Sequence, residues 1–569
     1  MRFSCVLAAL LCLQFSALSE IGFADTPLNV TIDEHIMASL SKSGITPADR
    51  CSDADFVRRI YLDLNGAIPS SDVTRKFLDD SDENKRAKLV DGLLQRDQFA
   101  QRMATVFDVM LMERRPDKYV TTDEWRSYLS ASFAANKPLN SLVREILGND
   151  GVDDNLRPAA KFYLDRAVDK DTLVRDIGRL FLGVDLQCAQ CHDHPNIDDY
   201  LHEHYYGLSV FVAGSKTFKL PDGKIVLEET VMREVEFASV FDPDTTRKTG
   251  PRLLAALMKI PESTAGEEYI EKPSRSVRAV PKFSLRTLLA EKLPSDETPE
   301  FARNMANRLW AMMTGRGIVH PLDMHHSANP PSHPELLAAL AKNLAETNYD
   351  TKTFLREIAL SATYQRSSEI PVGVDPQQVP PESFAVANMK GLSPEQLFES
   401  LLVAIRASGV LEQQITDELT EESATAENKD KAAAAEPTEK LDEENIAAAR
   451  RAKRAQKVAE FISVFGDVPG QPAGEFSSSM AQALFLANSN SVSQWIPAKH
   501  GNLAEHLTTL NDSNLLADEL FLSVLSRLPI EEERELVSKH LEAAGEERQR
   551  AIAELIWSQL ASVEFRLNH

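Results

Sequence analysis

Ser52-Asp53-Ala54-Asp55-Phe56-Val57-Arg58-Arg59-Ile60-Tyr61-Leu62-Asp63-Leu64-Asn65-Gly66 reads as one complete helix, with a start, an apolar side and a stop. Ser52 or Asp53 offers an oxygen to the first free N–H groups, and Phe56, Ile60, Leu62 and Leu64 form the apolar side. Gly66 allows the left-handed residue that ends many helices. The 3.6-residue recurrence then continues outward. Ser70 or Ser71 opens another helix, and Leu89, Val90, Leu93 and Leu94 run on towards Val106, Val109 and Met110. Trp125, Tyr128, Leu129 and Phe133 make a further stripe. The methionines and aromatics of this block read as core rather than as cofactor contacts.

Upstream, residues 1–24 have the layout of a secretory signal: Arg2, an apolar core from Val6 to Leu13, and Gly22-Phe23-Ala24 before Asp25. Ala17-Leu18-Ser19 offers a second cleavage site. The apolar run is too short to span a bilayer, and no later segment has the roughly 18 uncharged apolar residues of a transmembrane helix. The expectation is an exported protein of the periplasm or cell surface. Cys5 and Cys12 would leave with the signal, so Cys51, Cys188 and Cys191 remain of the five cysteines. That is no disulfide framework for a chain of 569 residues. Cys51 reads as a small buried residue. A net charge of −24, unchanged by losing Arg2 and Glu20 together, argues against nucleic acid as a partner.

Downstream, Leu173-Val174-Arg175-Asp176-Ile177-Gly178-Arg179-Leu180-Phe181-Leu182 has helical spacing and leads into Cys188-Ala189-Gln190-Cys191-His192-Asp193-His194-Pro195. Two cysteines two residues apart, followed by histidine, form the c-type haem attachment signature. The thiols can add to both vinyl groups of one porphyrin, and the adjacent imidazole is the proximal iron ligand. On this reading Cys188, Cys191 and His192 bind haem c, with His204, Met232, His325 and His326 as candidates for the opposite ligand. Two other readings stay open. The pair can close a disulfide, or His192, His194, Asp198, His202 and His204 can hold zinc or another divalent metal.

Past the motif the period changes. Pro221-Asp222-Gly223 is a turn signal between Thr217–Leu220 and Lys224–Leu227, and Val235 and Phe237 alternate with glutamates as a half-buried strand would. Residues 242–282 read as connector. Thr298-Pro299-Glu300 opens a helix with a capping hydroxyl, and Ser332-His333-Pro334-Glu335 reads as a capping box before Leu336 to Leu344. Arg303, Asn307 and Trp310 share one face of the first of these helices. They form a candidate ligand face for a sugar or carboxylate, although a buried anchor satisfying nearby backbone is the favoured reading. Residues 412–445 are acidic, with almost no large apolar side chains, and are expected to lack a fixed packed position. Arg450, Arg451, Lys453, Arg454 and Lys457 then read as a solvated helix face.

The fold class expected is mainly α, with two helical domains and a small β-hairpin element between them. The divisions are a signal at 1–24, an N-terminal helical domain at 25–214, and a β-hairpin element with connector at 215–282. A C-terminal helical domain follows, its first part at 283–411 and its second at 458–569, interrupted by the acidic insert and basic run at 412–457. Neither a phosphate-binding glycine loop nor a G-x-S-x-G elbow is present.

Several stretches together carry a family resemblance. They are Phe56 to Gly66, Phe181 to Pro195, Tyr205-Tyr206-Gly207-Leu208, Phe301 to Trp310, Gly315-Arg316-Gly317, Asn329 to Leu337, Tyr364 to Ser368, Gln482 to Leu486 and Glu564 to His569. In these the chain resembles the exported planctomycete cytochrome-type proteins, which pair N- and C-terminal domains of unknown function. The resemblance implies an exported, mainly helical protein. It departs from the family in lacking tryptophans near Met103 and Phe107, and in having His204 where an aspartate is usual. The resemblance also leads us to expect a chain without the separate cytochrome module of larger relatives, so that electron transfer would use one centre. Three functions are in view: a haem protein serving an electron partner, a non-haem metal-dependent hydrolase, and an envelope structural or glycan-binding protein.

Overall fold

In the computed structural model, residues 26–262, 266–433, 443–470 and 479–569 are described. The signal segment at 1–24 and residues 434–442 of the acidic insert lie outside them. The fold is mainly α, and the strands among the described residues form only two-stranded sheets.

The opening helix is Asp53–Asn65, capped at Ser52, whose hydroxyl accepts from Asp55 N at 3.1 Å, and closed by Gly66 at φ 80°. Its environment is not the half-buried one its pattern suggests. Arg58, Arg59 and Asp63 are 0%, 4% and 2% exposed, so the helix is buried on its polar side too. One apolar cluster takes Phe56, Val57, Ile60, Tyr61 and Leu64, and a second takes Leu62. The first cluster runs from Leu28 to Ala385, straight across the division expected near 283; the second collects Leu392 to Phe565 with Leu62 and Ile68.

The buried charges bind the distant ends of the chain to this helix. The Arg58 guanidinium donates to the carbonyls of Val524, Glu564, Phe565 and Leu567 at 2.9–3.3 Å. Burial lowers its pKa to about 10, which leaves it charged. Arg59 donates to Tyr364 O, Arg366 O and His569 O. Asp63 accepts from Tyr364 Oη and Asn568 Nδ2, both at 2.8 Å, and pairs with Lys390 Nζ. Leu567–Asn568 then adds as a short antiparallel strand to Lys390–Gly391.

Three local expectations are corrected. Asp242–Thr249, read as connector, is a strand paired antiparallel with Val235–Ser239. It is exposed along nearly its whole length, so no apolar alternation marks it. The helix Pro299–Thr314 begins where expected, but the Thr298 hydroxyl donates to Lys292 O at 2.9 Å instead of capping it. Pro334–Glu346 likewise starts without a capping box, because Ser332 turns back to Ile318 O. The hairpin Ser215–Lys219 with Ile225–Glu229 forms around Pro221-Asp222-Gly223 as expected. In the acidic stretch a helix runs over Ser408–Ala433, and Ile415 at its start is buried. In the basic run Arg454 pairs with both carboxylate oxygens of Glu399, at 2.8 and 2.7 Å. Among the described residues, no helix is long and apolar enough to cross a membrane.

Candidate functional site

The C-x-x-C-H turn is held from behind by both halves of the chain. The helix Lys170–Ile177 passes into a wider turn over Gly178–Leu182, anchored by Asp176. The Asp176 carboxylate is fully buried among Arg166 at 2.6 Å, Arg175 at 2.8 Å and Arg115 at 3.0 Å. Burial alone would raise its pKa, but these guanidinium groups outweigh it and bring it down to about 2. Gly183 then takes φ 74°, and an added Cβ would lie 2.7 Å from His325 Cδ2 and 2.9 Å from Asn304 Oδ1. Only glycine fits both that backbone and that approach. Asn304 Nδ2 donates to Leu180 O at 2.8 Å, and His325 N donates to Gly183 O at 2.9 Å. The helix Pro299–Thr314 and the loop after it thus set the level at which the motif emerges.

The motif is a single 3-10 turn, Cys188–Gln190. Ala189 is fully buried and plugs the turn into the core, while Cys188 and Cys191 on either side are exposed, free thiols. The half-buried His192 has Nδ1 2.6 Å from Asp193 O. A carbonyl can only accept, so in the neutral ring the proton sits on Nδ1 and the Nε2 lone pair is left for a ligand bond. The His192 ring lies 4.8 Å from that of Phe241, and Val240 N donates to Cys191 O at 3.0 Å. Cys51 is buried and free.

The candidate metal set does not converge. His194 Nδ1 accepts from Asn196 N at 3.2 Å, and its ring meets Tyr200 edge-on. Asp198 is exposed. His202 and His204 are two residues apart on the helix His202–Ala213, about 200° around its axis. Each is engaged by backbone: His202 Nε2 with Gln190 O and His204 Nδ1 with Asp199 O, both at 3.1 Å. Burial holds both imidazoles below their ordinary pKa, although the carbonyls pull the other way. Among the described residues, no three His, Cys, Asp or Glu side chains are grouped as a metal ion requires.

Of the residues considered for the opposite iron position, His325 is 5% exposed beside Asn307 Nδ2. Burial depresses its pKa to about 3. His204 is similarly enclosed, Met232 is half-buried, and His326 packs edge-on against Tyr200.

Arg303, Asn307 and Trp310 do not form a ligand face. Arg303 is exposed, whereas Asn307 and Trp310 are fully buried. Asn307 donates to Val319 O at 2.9 Å and accepts from Val319 N at 3.0 Å, closing the loop after the helix. Asn307→Ala leaves both Val319 groups buried and unpaired, so a loss of about 2–4 kcal/mol is expected by urea denaturation. A change below about 0.5 kcal/mol would show that water replaces the amide.

Fold and site together define a mainly helical protein that presents an exposed C-x-x-C-H turn, seated by its C-terminal half. Residues 31–217 match the family model PSCyt2, a protein of unknown function (DUF1549), and residues 285–541 match PSD1, a protein of unknown function (DUF1553). The chain therefore pairs these two domains of unknown function. No curated protein and no solved structure matches it. The model boundaries at 217 and 285 bracket the hairpin region, yet the first apolar core runs through both matched segments.

Proposed function

We propose that the protein is exported and carries one covalently attached c-type haem at Cys188 and Cys191, with His192 as proximal ligand, for electron transfer or redox chemistry. The supporting observation is the state of the turn: two free thiols exposed on either side of a buried alanine, next to an imidazole whose Nε2 is open. A haem so bound would supply one-electron chemistry at its iron. The chain's own residues do the rest. The buried Ala189 orients both thiols outward, and Asp193 O holds the Nδ1 proton and so fixes the tautomer of His192.

The divalent-metal reading is less well supported, since among the described residues no three His, Cys, Asp or Glu side chains are grouped as a metal ion requires. The glycan reading loses its face with the burial of Asn307 and Trp310.

An intact mass and a pyridine haemochrome spectrum of the full chain, made in a host competent for cytochrome maturation, test the proposal. The expected result is one haem per chain that survives denaturation. A colourless, iron-free product overturns it. Stoichiometric zinc would then favour a metal site, and a mass lower by two protons a disulfide.

A further inference from the structure

The hairpin Val235–Ser239 with Asp242–Thr249 turns through Val240 and Phe241, because Ser239 pairs directly with Asp242. A two-residue hairpin loop ordinarily takes Asn-Gly, Asp-Gly or a glycine pair, whose backbone suits the turn. A β-branched residue and an aromatic one have no such advantage. Here they are also 59% and 80% exposed, at the end of a strand otherwise made of Asp, Pro, Thr, Arg and Lys.

The hairpin is not loose. A register shift between Phe237 and Ser239 re-aims the tip, and Phe237 stacks on Tyr206 at 4.7 Å and meets His202 edge-on at 4.9 Å. The tip itself is fastened to the motif by the Val240 N to Cys191 O bond and by Phe241 against His192. Two exposed apolar side chains are thus held beside two exposed thiols and an open imidazole nitrogen.

Resting on the haem reading above, we infer that Val240 and Phe241 are the apolar cover of the haem joined at Cys188 and Cys191, built to keep water from it. Apolar cover raises a haem's reduction potential by disfavouring the more highly charged oxidised iron. It also leaves the tip shielded once the haem is in place.

The test compares full-length wild-type protein bearing haem with the haem-free Cys188→Ser/Cys191→Ser variant under brief chymotrypsin treatment. Cutting after Phe241 is expected to be at least several-fold slower with haem present. In a second arm, Phe241→Ser should retain haem stoichiometry by mass, show a lower midpoint potential, and bind added imidazole more readily. Equal cutting with and without haem, together with an unchanged potential in Phe241→Ser, overturns the cover while the haem reading stands. Absence of haem from the wild type instead removes the functional reading, and this inference with it.

Discussion

Asp63→Ala is expected to cost the protein about 3–5 kcal/mol, the range seen when one partner of a buried ion pair is removed. Asp63 is 2% exposed and receives Tyr364 Oη, Asn568 Nδ2 and Lys390 Nζ. Removing it strands the Lys390 ammonium with only Met312 O and Met313 O as partners. Burial already depresses the Lys390 pKa, while the Asp63 carboxylate works against that depression. Without Asp63 the amine therefore loses its proton more easily, and the remaining stability should rise with pH. The residue lies on the helix shared by both apolar clusters, so near-UV circular dichroism should report loss of packing in both clusters at lower urea. Asp63→Ala combined with Lys390→Met should recover much of the loss, because the cost lies in the unpaired charge. A midpoint unchanged in the single variant would show that the ion pair does not hold the clusters together.

That helix illustrates what a sequence can and cannot convey. Ser52, Phe56, Ile60, Leu64 and Gly66 are local signals, so its start, core side and end were legible. The burial of Arg58, Arg59 and Asp63 has no such local signal, because charged side chains are rarely buried. Their partners, at 364–366, 390 and 524–569, lie hundreds of residues away and leave no local trace. Capping was over-read for a related reason. Thr298 and Ser332 have the right hydroxyls, but nearby carbonyls of Lys292 and Ile318 compete for them. The strand Asp242–Thr249 was invisible because its exposed surface imposes no alternation.

At the site, the C-x-x-C-H spacing was fully legible, and the burial of Asn307 was the favoured reading of its helix. The candidate metal histidines are not brought together among the described residues. A spacing of two on a helix separates His202 from His204 by more than half a turn, which helical geometry already implied. Each turns one ring nitrogen to a carbonyl, of Gln190 and of Asp199, and only the fold brings these into register. Phe241 was missed altogether. Its one sequence signal was an apolar pair at a turn with no glycine or asparagine, and that becomes visible only once the second strand is placed.

The all-or-none effect belongs to the thiols. On the haem proposal, Cys188→Ser with Cys191→Ser is expected to abolish covalent haem completely, since Cys51, the other cysteine among the described residues, is buried at 4% exposure in the first apolar cluster. The fold should be almost indifferent to the change. Both thiols are exposed, and surface substitutions of this kind usually fall within about 0.5 kcal/mol. His192→Ala separates the roles within the motif. It leaves both thioether bonds possible but removes the proximal nitrogen, so the absorption spectrum should shift, or attachment itself should fail if maturation requires the imidazole. Its stability cost should also be small, because the ring is only half-buried and its Nδ1 bond is to the neighbouring Asp193 carbonyl. The decisive contrast is between colour and stability. A double serine variant with unchanged denaturation and no haem places the cysteines in the chemistry. One that keeps its spectrum, or that loses its fold while the wild type is colourless, assigns the pair to structure instead.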